Sequence, residues 1–236
     1  MSRPQAKMQV SIIIPTLNEE QALGPTLESL SQLNSTPELL IVDGGSQDAT
    51  VEIAQSRGIR VLRTTQGRGA QLQAGAAATQ GDALWFLHAD TCPPPEAVER
   101  VIEALDDPAT AGGNFTLCFD GQTRSARLLT RMYPHFRKLG LSYGDSGIFC
   151  RRSAYDAAGG FRPFPIFEDL DLIKRLKREG RFIHLPCTIT TSSRRFEGRS
   201  FTWTFARWTA LQILYWLGIS PHALGRVYAP IRSRKT

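Results

Sequence analysis

Short apolar runs alternate with amphipathic stretches through the first half of the sequence. The apolar runs predict buried strands at residues 10–14, 39–42, 59–62 and 83–87. The amphipathic stretches between them predict helices. Strands that alternate with helices pair in parallel, because each helix returns the chain across one face of the sheet. We therefore expect an α/β fold whose mostly parallel sheet is flanked by helices. The pattern continues with strands near 113–119, 148–151 and 182–185, and helices near 123–139 and 167–179.

The segment IVDGGSQDAT, residues 41–50, combines a strand end with a carboxylate, a sharp turn and a helix cap. Gly44 and Gly45 allow the turn, and Ser46 or Asp48 can cap the following helix. Ligands of open α/β sheets bind at the carboxyl ends of strands. We expect Asp43 to face a ligand there and to accept hydrogen bonds from a nucleobase or ribose. The alternative is an aspartate that only holds an ordinary strand-to-helix turn.

The loops after the strands disfavour a dinucleotide site and exclude a P-loop. The first strand leads into PTLNEE, which contains Glu19, without the GxGxxG of dinucleotide folds, and no GxxxxGK[ST] is present. The groups left at strand ends are acidic, and acids facing a diphosphate need a cation between them. The segment His88-Ala89-Asp90 after the fourth strand places a carboxylate where Mg²⁺ or Mn²⁺ would fit. The alternative is an Asp90 that caps the Pro-rich turn.

Three acids open the helix predicted at 167–179, namely Glu168, Asp169 and Asp171. The helix dipole favours acids there, but one of them held near a substrate could also act as general base towards a hydroxyl. Further on, Arg194 and Arg195 could hold a leaving diphosphate with paired hydrogen bonds, or could belong to a solvated face.

Positive charge is concentrated at the end of the chain. Residues 194–236 contain eight of the 28 Lys and Arg but one acid, and they include Trp203, Trp208 and Trp216. Aromatic residues beside cations favour an anionic membrane surface, whereas Arg207 and Gln212 interrupt the apolar stretch and disfavour a membrane span. Packing of this helix on the main domain is the alternative, and the two can coexist. Nucleic-acid binding is disfavoured, because the body of the chain lacks a basic stripe.

Cysteine spacing and the N-terminus indicate the compartment. The four cysteines are widely separated without a CxxC pair, which predicts neither a zinc site nor a disulfide framework. The first residues lack the apolar stretch of a signal peptide. We expect the protein to reside in the cytoplasm, with peripheral binding to the inner face of the plasma membrane through its tail.

Seven segments in this order resemble the family 2 glycosyltransferases: SIIIPTLNEE, IVDGGSQDAT, GRGAQLQAG, GDALWFLHADT, GDSGIFCRR, FEDLDL and SSRRFE. The resemblance implies a GT-A fold, a Rossmann-like nucleotide-binding domain, over residues 8–196, followed by a basic, Trp-rich helical tail over 197–236. The segment YWLGISPHALGRVY in the tail resembles a bacterial branch of the family found beside radical-SAM and selenium-related genes.

The resemblance also implies roles for the candidate residues at the nucleotide. Pro15, Thr16 and Glu19 would line the nucleoside pocket, Asp43 would bind the base, and Arg68 would approach the nucleotide. The family's metal motif is usually DxD, and its last acid binds the cation. Asp90 stands at that position and would bind the cation. His88 stands at the position of the first acid, where it would contact ribose or metal.

The remaining implied roles concern the chemical step. Asp169 corresponds to the family's catalytic base, Glu168 and Asp171 would support it, and Arg194 or Arg195 would face the diphosphate. The implied reaction is inverting transfer from a nucleoside-diphosphate sugar to an acceptor hydroxyl. We prefer UDP-sugar as the donor, and the membrane-suited tail predicts a lipid or lipid-linked hydroxyl as the acceptor.

Two alternatives stay open. A sugar-phosphate nucleotidyltransferase shares the α/β layout, but a glycine-rich loop with a basic residue should then follow the first strand. A non-catalytic, membrane-associated nucleotide-sugar-binding module would explain the tail and the histidine at position 88.

Overall fold

Strands and helices alternate along the chain as the hydrophobic pattern predicts. The computed structural model describes residues 8–121, 144–192 and 201–227. The strands in these ranges are β1 (Val10–Thr16), β2 (Glu38–Asp43), β3 (Arg60–Arg63), β4 (Ala83–Phe86), β5 (Thr91–Cys92), β6 (Thr110–Phe119), β7 (Ile148–Arg151) and β8 (Arg181–Thr191). The helices are α1 (Glu20–Ser31), α2 (Thr50–Ser56), α3 (Arg68–Ala78), α4 (Ala97–Asp106), α5 (Arg152–Ala157), α6 (Glu168–Glu179), α7 (Phe201–Trp216) and α8 (Pro221–Val227).

These strands form one sheet in the order β3-β2-β1-β4-β7-β6-β8-β5. β1 pairs in parallel with β2 and β4, and β2 pairs in parallel with β3. β7 is antiparallel to β4 and β6, while β6 and β8 pair in parallel and β5 is antiparallel to β8. The prediction of a mostly parallel sheet flanked by helices is confirmed. As a consequence, β1, β2 and β4 end at the same edge of the sheet.

Alternate residues of the central strands supply two hydrophobic clusters, one on each face of the sheet. On one face, Ile12 and Ile41 pack with apolar residues of α1, α2 and α4. On the other face, Ile13 and Leu40 pack with apolar residues of α3, α5 and α6. This division follows from the pleat, because neighbouring residues of a strand point to opposite faces. It places α3 and α6, whose first residues include the predicted site residues, on the same face.

The preference of asparagine for helix caps predicts that Asn18 caps the first helix, and the structure corrects this prediction. Asn18 has a left-handed backbone, with φ of 56°, and α1 begins at Glu20 without a side-chain cap. The Asn18 Oδ1 accepts from the backbone N–H of Gln47 at 2.9 Å, and its own N–H donates to the Ser46 hydroxyl at 2.9 Å. Asn18 therefore joins the loops after β1 and β2 instead of capping α1. The helix predicted at 123–139 lies outside the described residues.

All four cysteines lie among the described residues, and none forms a disulfide. Cys150 is fully buried, and burial raises the pKa of its thiol above the ordinary value. Cys150 packs within one hydrophobic cluster and Cys187 packs against the other, whereas Cys92 and Cys118 are partly buried.

Candidate active site

The Asp43 carboxylate holds the turn after β2. One of its oxygens accepts from the N–H groups of Gly45 and Ser46 at 2.9 and 3.0 Å, and the other accepts from the hydroxyls of Ser46 and Thr16. A carboxylate offers about four lone pairs, so its acceptor capacity is filled by the protein. Asp43 is 1% exposed. A nucleobase can use this acceptor only after a hydroxyl of Thr16 or Ser46 rotates away.

Gln71 fastens α3 to the ends of β1 and β2. Its buried Nε2 donates to the carbonyls of Thr16 and Val42, both at 2.8 Å. Sequence reasoning missed this residue, although its spacing from Arg68 put both on one side of a helix. Pro15 lies half-buried in β1, and Glu19 precedes α1, where its N–H donates to the Thr50 hydroxyl at 2.8 Å. The predicted nucleoside residues thus gather at this edge of the sheet.

Arg68 joins the start of α3 to the start of α6. Its Nε donates to the carboxylate of Glu168, whose side chain is 2% exposed, and its Nη2 lies 3.8 Å from the Asp169 Oδ2. Burial alone would lower the pKa of Arg68, but the carboxylates of Glu168, Asp169 and Asp145 raise it above its ordinary value. Arg68 is therefore a permanent cation held between acids.

Gly69 allows this approach of the two helices. A Cβ at this position would lie 2.4 Å from the carbonyl oxygen of Arg162 and 3.4 Å from the Cβ of Glu168. Only glycine lets the first turn of α3 come this close to the segment before α6.

The His88 ring is placed between Asp145 and Arg68. Its Nδ1 lies 2.9 Å from the Asp145 Oδ1, and its Nε2 lies 3.3 Å from the Arg68 Nη1. Because a guanidinium only donates, the Nε2 is assigned as acceptor, and the Nδ1 proton is then donated to Asp145. Both ring nitrogens are engaged with the protein here. The segment GDSGIFCRR, which contains Asp145, belongs to the family resemblance, but the sequence did not predict the contact of Asp145 with His88.

Asp90 follows β4, half-buried, beside the end of β8. Its carbonyl accepts from the Ser192 N–H at 3.1 Å, and its Oδ1 lies 3.5 Å from the Thr191 hydroxyl. Within the described ranges, no three His, Cys, Asp or Glu side chains are grouped to hold a metal ion. Mg²⁺ commonly uses one or two carboxylates and substrate phosphates, so the single Asp90 carboxylate fits by donor type. Arg194 and Arg195 lie outside the described residues.

Asp171 belongs to an internal ion pair. Its Oδ2 accepts from the Nε and Nη2 of Arg175 at 2.9 and 2.6 Å, and its Oδ1 lies 3.3 Å from the Nη1 of Arg162. Both Asp171 and Arg175 are 8% exposed. The acids at the start of α6 therefore have two different environments. Glu168 and Asp169 face Arg68, whereas Asp171 faces Arg162 and Arg175.

A cleft brings three of the predicted site residues together. Arg68, His88 and Asp169 supply its polar groups, and the Asp169 Oδ1 also accepts from the Leu170 N–H at 2.8 Å. The Asp169 side chain is 10% exposed, so a carboxylate reaches the cleft with little water around it. The apolar part of the wall is formed by Leu72, Phe86, Leu87, Ile148 and Phe161.

Phe167, immediately before these acids, has a left-handed backbone with φ of 64° and ψ of 19°. This conformation costs a bulky residue on the order of 1–2 kcal/mol. The ring is buried, stacked on Tyr215 with centroids 5.0 Å apart, and lies 6.5 Å from Trp208. Burial of a Phe side chain contributes about 1.5–3 kcal/mol, and an aromatic pair about 0.5–1.5 kcal/mol more. Packing against α7 therefore outweighs the backbone strain.

The inner side of the tail helix packs on the main domain at the start of α6, as one of the two tail predictions proposed. Trp208, Leu211 and Tyr215, spaced along one side of α7, join the cluster that contains Phe167. Burial raises the pKa of Tyr215, and the Asp171 and Asp169 carboxylates raise it further. Other sides of α7 and the following turn expose apolar side chains, here called the tail patch: Ile213, Leu214, Trp216, Leu217 and Ile219. A membrane crossing requires more length and hydropathy than any helix in the described ranges possesses.

Comparison with known proteins first identifies a family. The sequence model of "Glycosyl transferase family 2" matches residues 11–157, which is more than half of the chain. An undecaprenyl-phosphate 4-deoxy-4-formamido-L-arabinose transferase of Edwardsiella ictaluri is 31% identical over 159 residues, covering 60% of this chain and 48% of that protein. A 4,4'-diaponeurosporenoate glycosyltransferase of Staphylococcus haemolyticus is 35% identical over 94 residues, covering 36% of this chain and 25% of that protein. The chain thus spans half or less of the length of these relatives.

A solved structure shows the same fold. Glucosyl-3-phosphoglycerate synthase of Mycobacterium tuberculosis, crystallised with Mn²⁺, uridine diphosphate and phosphoglyceric acid, has a TM-score of 0.64 and 22% identity. The match covers 91% of this chain and 80% of that chain. The mixed sheet, its flanking helices and the C-terminal helices are those of a GT-A fold.

Proposed function

Because the chain belongs to glycosyl transferase family 2, we propose that it transfers a sugar from a nucleoside-diphosphate sugar to an acceptor hydroxyl. The observation that carries this proposal is the cleft in which Arg68, His88 and Asp169 meet. A guanidinium suits an anionic diphosphate, and a poorly hydrated carboxylate suits proton removal from a hydroxyl.

In this proposal the nucleoside lies at the ends of β1 and β2. Pro15, Thr16 and Glu19 would border it, and Asp43 would accept from the base after losing one internal hydrogen bond. Arg68, which is fixed by Glu168 and already charged, then lies towards the diphosphate. Its position needs no rearrangement at the moment of reaction, which is the condition for efficient electrostatic stabilisation.

The chemical step is a direct displacement. The acceptor oxygen bonds to the anomeric carbon while the bond from that carbon to the diphosphate oxygen breaks, and Asp169 takes the acceptor's proton. Attack from the side opposite the leaving group inverts the anomeric centre. A Mg²⁺ or Mn²⁺ ion bound at Asp90 would offset negative charge on the departing diphosphate. Arg194 and Arg195 are still predicted, from the sequence, to contact the departing diphosphate.

The names of the similar proteins support a more specific proposal for the donor and the acceptor. The mycobacterial synthase binds uridine diphosphate with Mn²⁺, which supports a UDP-sugar. The Edwardsiella relative is named as an undecaprenyl-phosphate transferase, and the staphylococcal relative is named as a 4,4'-diaponeurosporenoate glycosyltransferase. These names support a lipid or lipid-linked acceptor. Membership of the branch near radical-SAM and selenium-related genes stays a prediction from the tail sequence.

Nucleotide binding is the first test of this function. Uridine, guanosine, thymidine and cytidine diphosphates are added with Mn²⁺, Mg²⁺ or EDTA, and unfolding temperature is recorded. We expect one nucleotide at about 100 times its Kd to stabilise the protein by about 2.7 kcal/mol, or roughly 5–10 °C, when metal is present.

Asp90→Ala should lose the metal-dependent part of this shift. Asp156→Ala removes an exposed acid of α5 and should retain the shift, so it serves as the matched control. The absence of a shift with every nucleotide would contradict a nucleotide-sugar enzyme.

We further propose that the tail patch docks on an anionic lipid bilayer. All five of its apolar side chains are at least 37% exposed. Arg207 lies on α7 and Arg226 lies on α8. Residues 194–236 carry eight basic residues against one acid. Apolar burial together with attraction to anionic lipid is the chemistry of a peripheral membrane helix.

Vesicle sedimentation tests this docking. At low salt, we expect the protein to bind phosphatidylglycerol vesicles and to bind phosphatidylcholine vesicles at least tenfold more weakly. Trp216→Asp combined with Leu217→Asp should weaken binding by more than tenfold, because burial of each parent side chain contributes about 1.5–3 kcal/mol. Failure to bind anionic vesicles, or patch-dependent self-association in their place, would refute membrane docking.

A further inference from the structure

The tail helix has an inner side whose contacts end next to the proposed base. Tyr215 and Trp208 of α7 contact Phe167, and Phe167 is followed directly by Glu168 and Asp169. Phe167 is one of two non-glycine residues with positive φ in the described ranges, and the other is Asn18. Asparagine adopts this conformation readily, whereas a phenylalanine there needs an external cause.

The backbone of Phe167 sets the direction in which α6 begins. Its carbonyl accepts from the Asp171 N–H at 3.0 Å, so the residue caps the helix. A change of φ from 64° to the ordinary helical value is a rotation of roughly 130°. Such a rotation would turn the peptide that enters Glu168 and would separate Glu168 and Asp169 from Arg68.

We infer that Phe167 is a positioning residue for Asp169 and that α7, by packing Tyr215 and Trp208 on Phe167, is a structural part of the active site. This inference rests on the proposed function and concerns the same site. It differs from membrane docking, because it requires α7 for turnover in the complete absence of lipid. Burial and the nearby Asp169 and Asp171 carboxylates both raise the pKa of Tyr215, in keeping with a hydroxyl close to these acids.

The test compares turnover and nucleotide affinity without membranes. The reaction is UDP release from UDP-glucose or UDP-N-acetylglucosamine with Mn²⁺, and UDP affinity is measured by calorimetry. For Tyr215→Ala we expect kcat to fall at least tenfold while the Kd of UDP stays within twofold of the parent. Tyr215→Phe retains the ring and should keep kcat within twofold.

Two further variants distinguish a loss of positioning from a loss of folded protein. Tyr215→Leu keeps an apolar side chain but removes ring stacking. We expect a three- to tenfold loss of kcat, measured well below an unfolding temperature that falls by roughly 1–6 °C. Ala210→Ser changes an exposed position of the same helix and should behave as the parent.

The outcomes separate the inference from its premise. An active parent with unchanged kcat in Tyr215→Ala and Tyr215→Leu would overturn the inference alone. Equal losses of kcat and UDP affinity would also overturn it, because they would indicate general damage to the domain. A parent that releases nucleotide from no UDP-, GDP-, dTDP- or CDP-sugar would overturn the proposed function and the inference together.

Discussion

Asp169→Asn is expected to lower the rate of sugar transfer by roughly 10²–10⁴, the usual contribution of a general base. The amide cannot take a proton from the acceptor, yet its oxygen can still accept from the Leu170 N–H, so the local structure should persist. Nucleotide affinity should change little, because Glu168 continues to hold Arg68. The measurement is transfer or donor hydrolysis at saturating donor, with UDP affinity determined in parallel.

Asp171→Asn is the matched control, since it makes the same chemical change two residues along the same helix. Its carboxylate pairs with Arg175 and Arg162, and removal of one partner from a buried pair costs about 3–5 kcal/mol. We expect a lower unfolding temperature with kcat retained in the folded protein. An Asp169→Asn protein that keeps the parent's turnover would contradict the role of Asp169 as base. A parent that binds nucleotide but shows neither transfer nor donor hydrolysis would favour the non-catalytic binding module.

Arg68→Met should have the second large effect, on both stability and turnover. It leaves the buried Glu168 carboxylate without its cation, and breaking a fully buried pair costs about 3–5 kcal/mol. The Arg68 side chain is 35% exposed, so solvent screening reduces our expectation to about 2–3 kcal/mol, or roughly 5–10 °C in unfolding temperature. Turnover and nucleotide affinity should both fall, because the diphosphate loses its guanidinium. Thermal unfolding and steady-state kinetics measure the two effects.

The double variant Arg68→Met with Glu168→Gln separates these effects. It removes the unpaired buried charge, so most of the lost stability should return, whereas turnover should stay low. Recovery of both would mean that Arg68 only neutralises Glu168 and takes no part in donor binding. Recovery of neither would mean that the pair is needed for the packing of α3 on α6.

Much of the fold was predictable because it depends on local backbone geometry and burial. Buried strands such as β1 and β2 are continuous apolar runs, and their alternation with helices specifies parallel pairing. The acids at the start of α6 were visible as three carboxylates in four residues. The exchange of the Asn18 cap for a loop-to-loop bridge was not predictable, because its partners, Ser46 and Gln47, come from another turn.

For the site, the sequence by itself determined which chemical groups lie at the ends of which strands and helices. Only the tertiary structure decided which of them meet, because those contacts join residues far apart in the chain. Arg68 and Glu168 are 100 positions apart, and Gly69 permits their contact. Asp169 and Asp171 lie roughly 200° apart around α6, because they are two residues apart on a helix. Packing decided which of these sides faces the cleft and which faces Arg175. The left-handed backbone of Phe167 is also decided by tertiary packing. No local preference favours this conformation, but stacking on the ring of Tyr215 does.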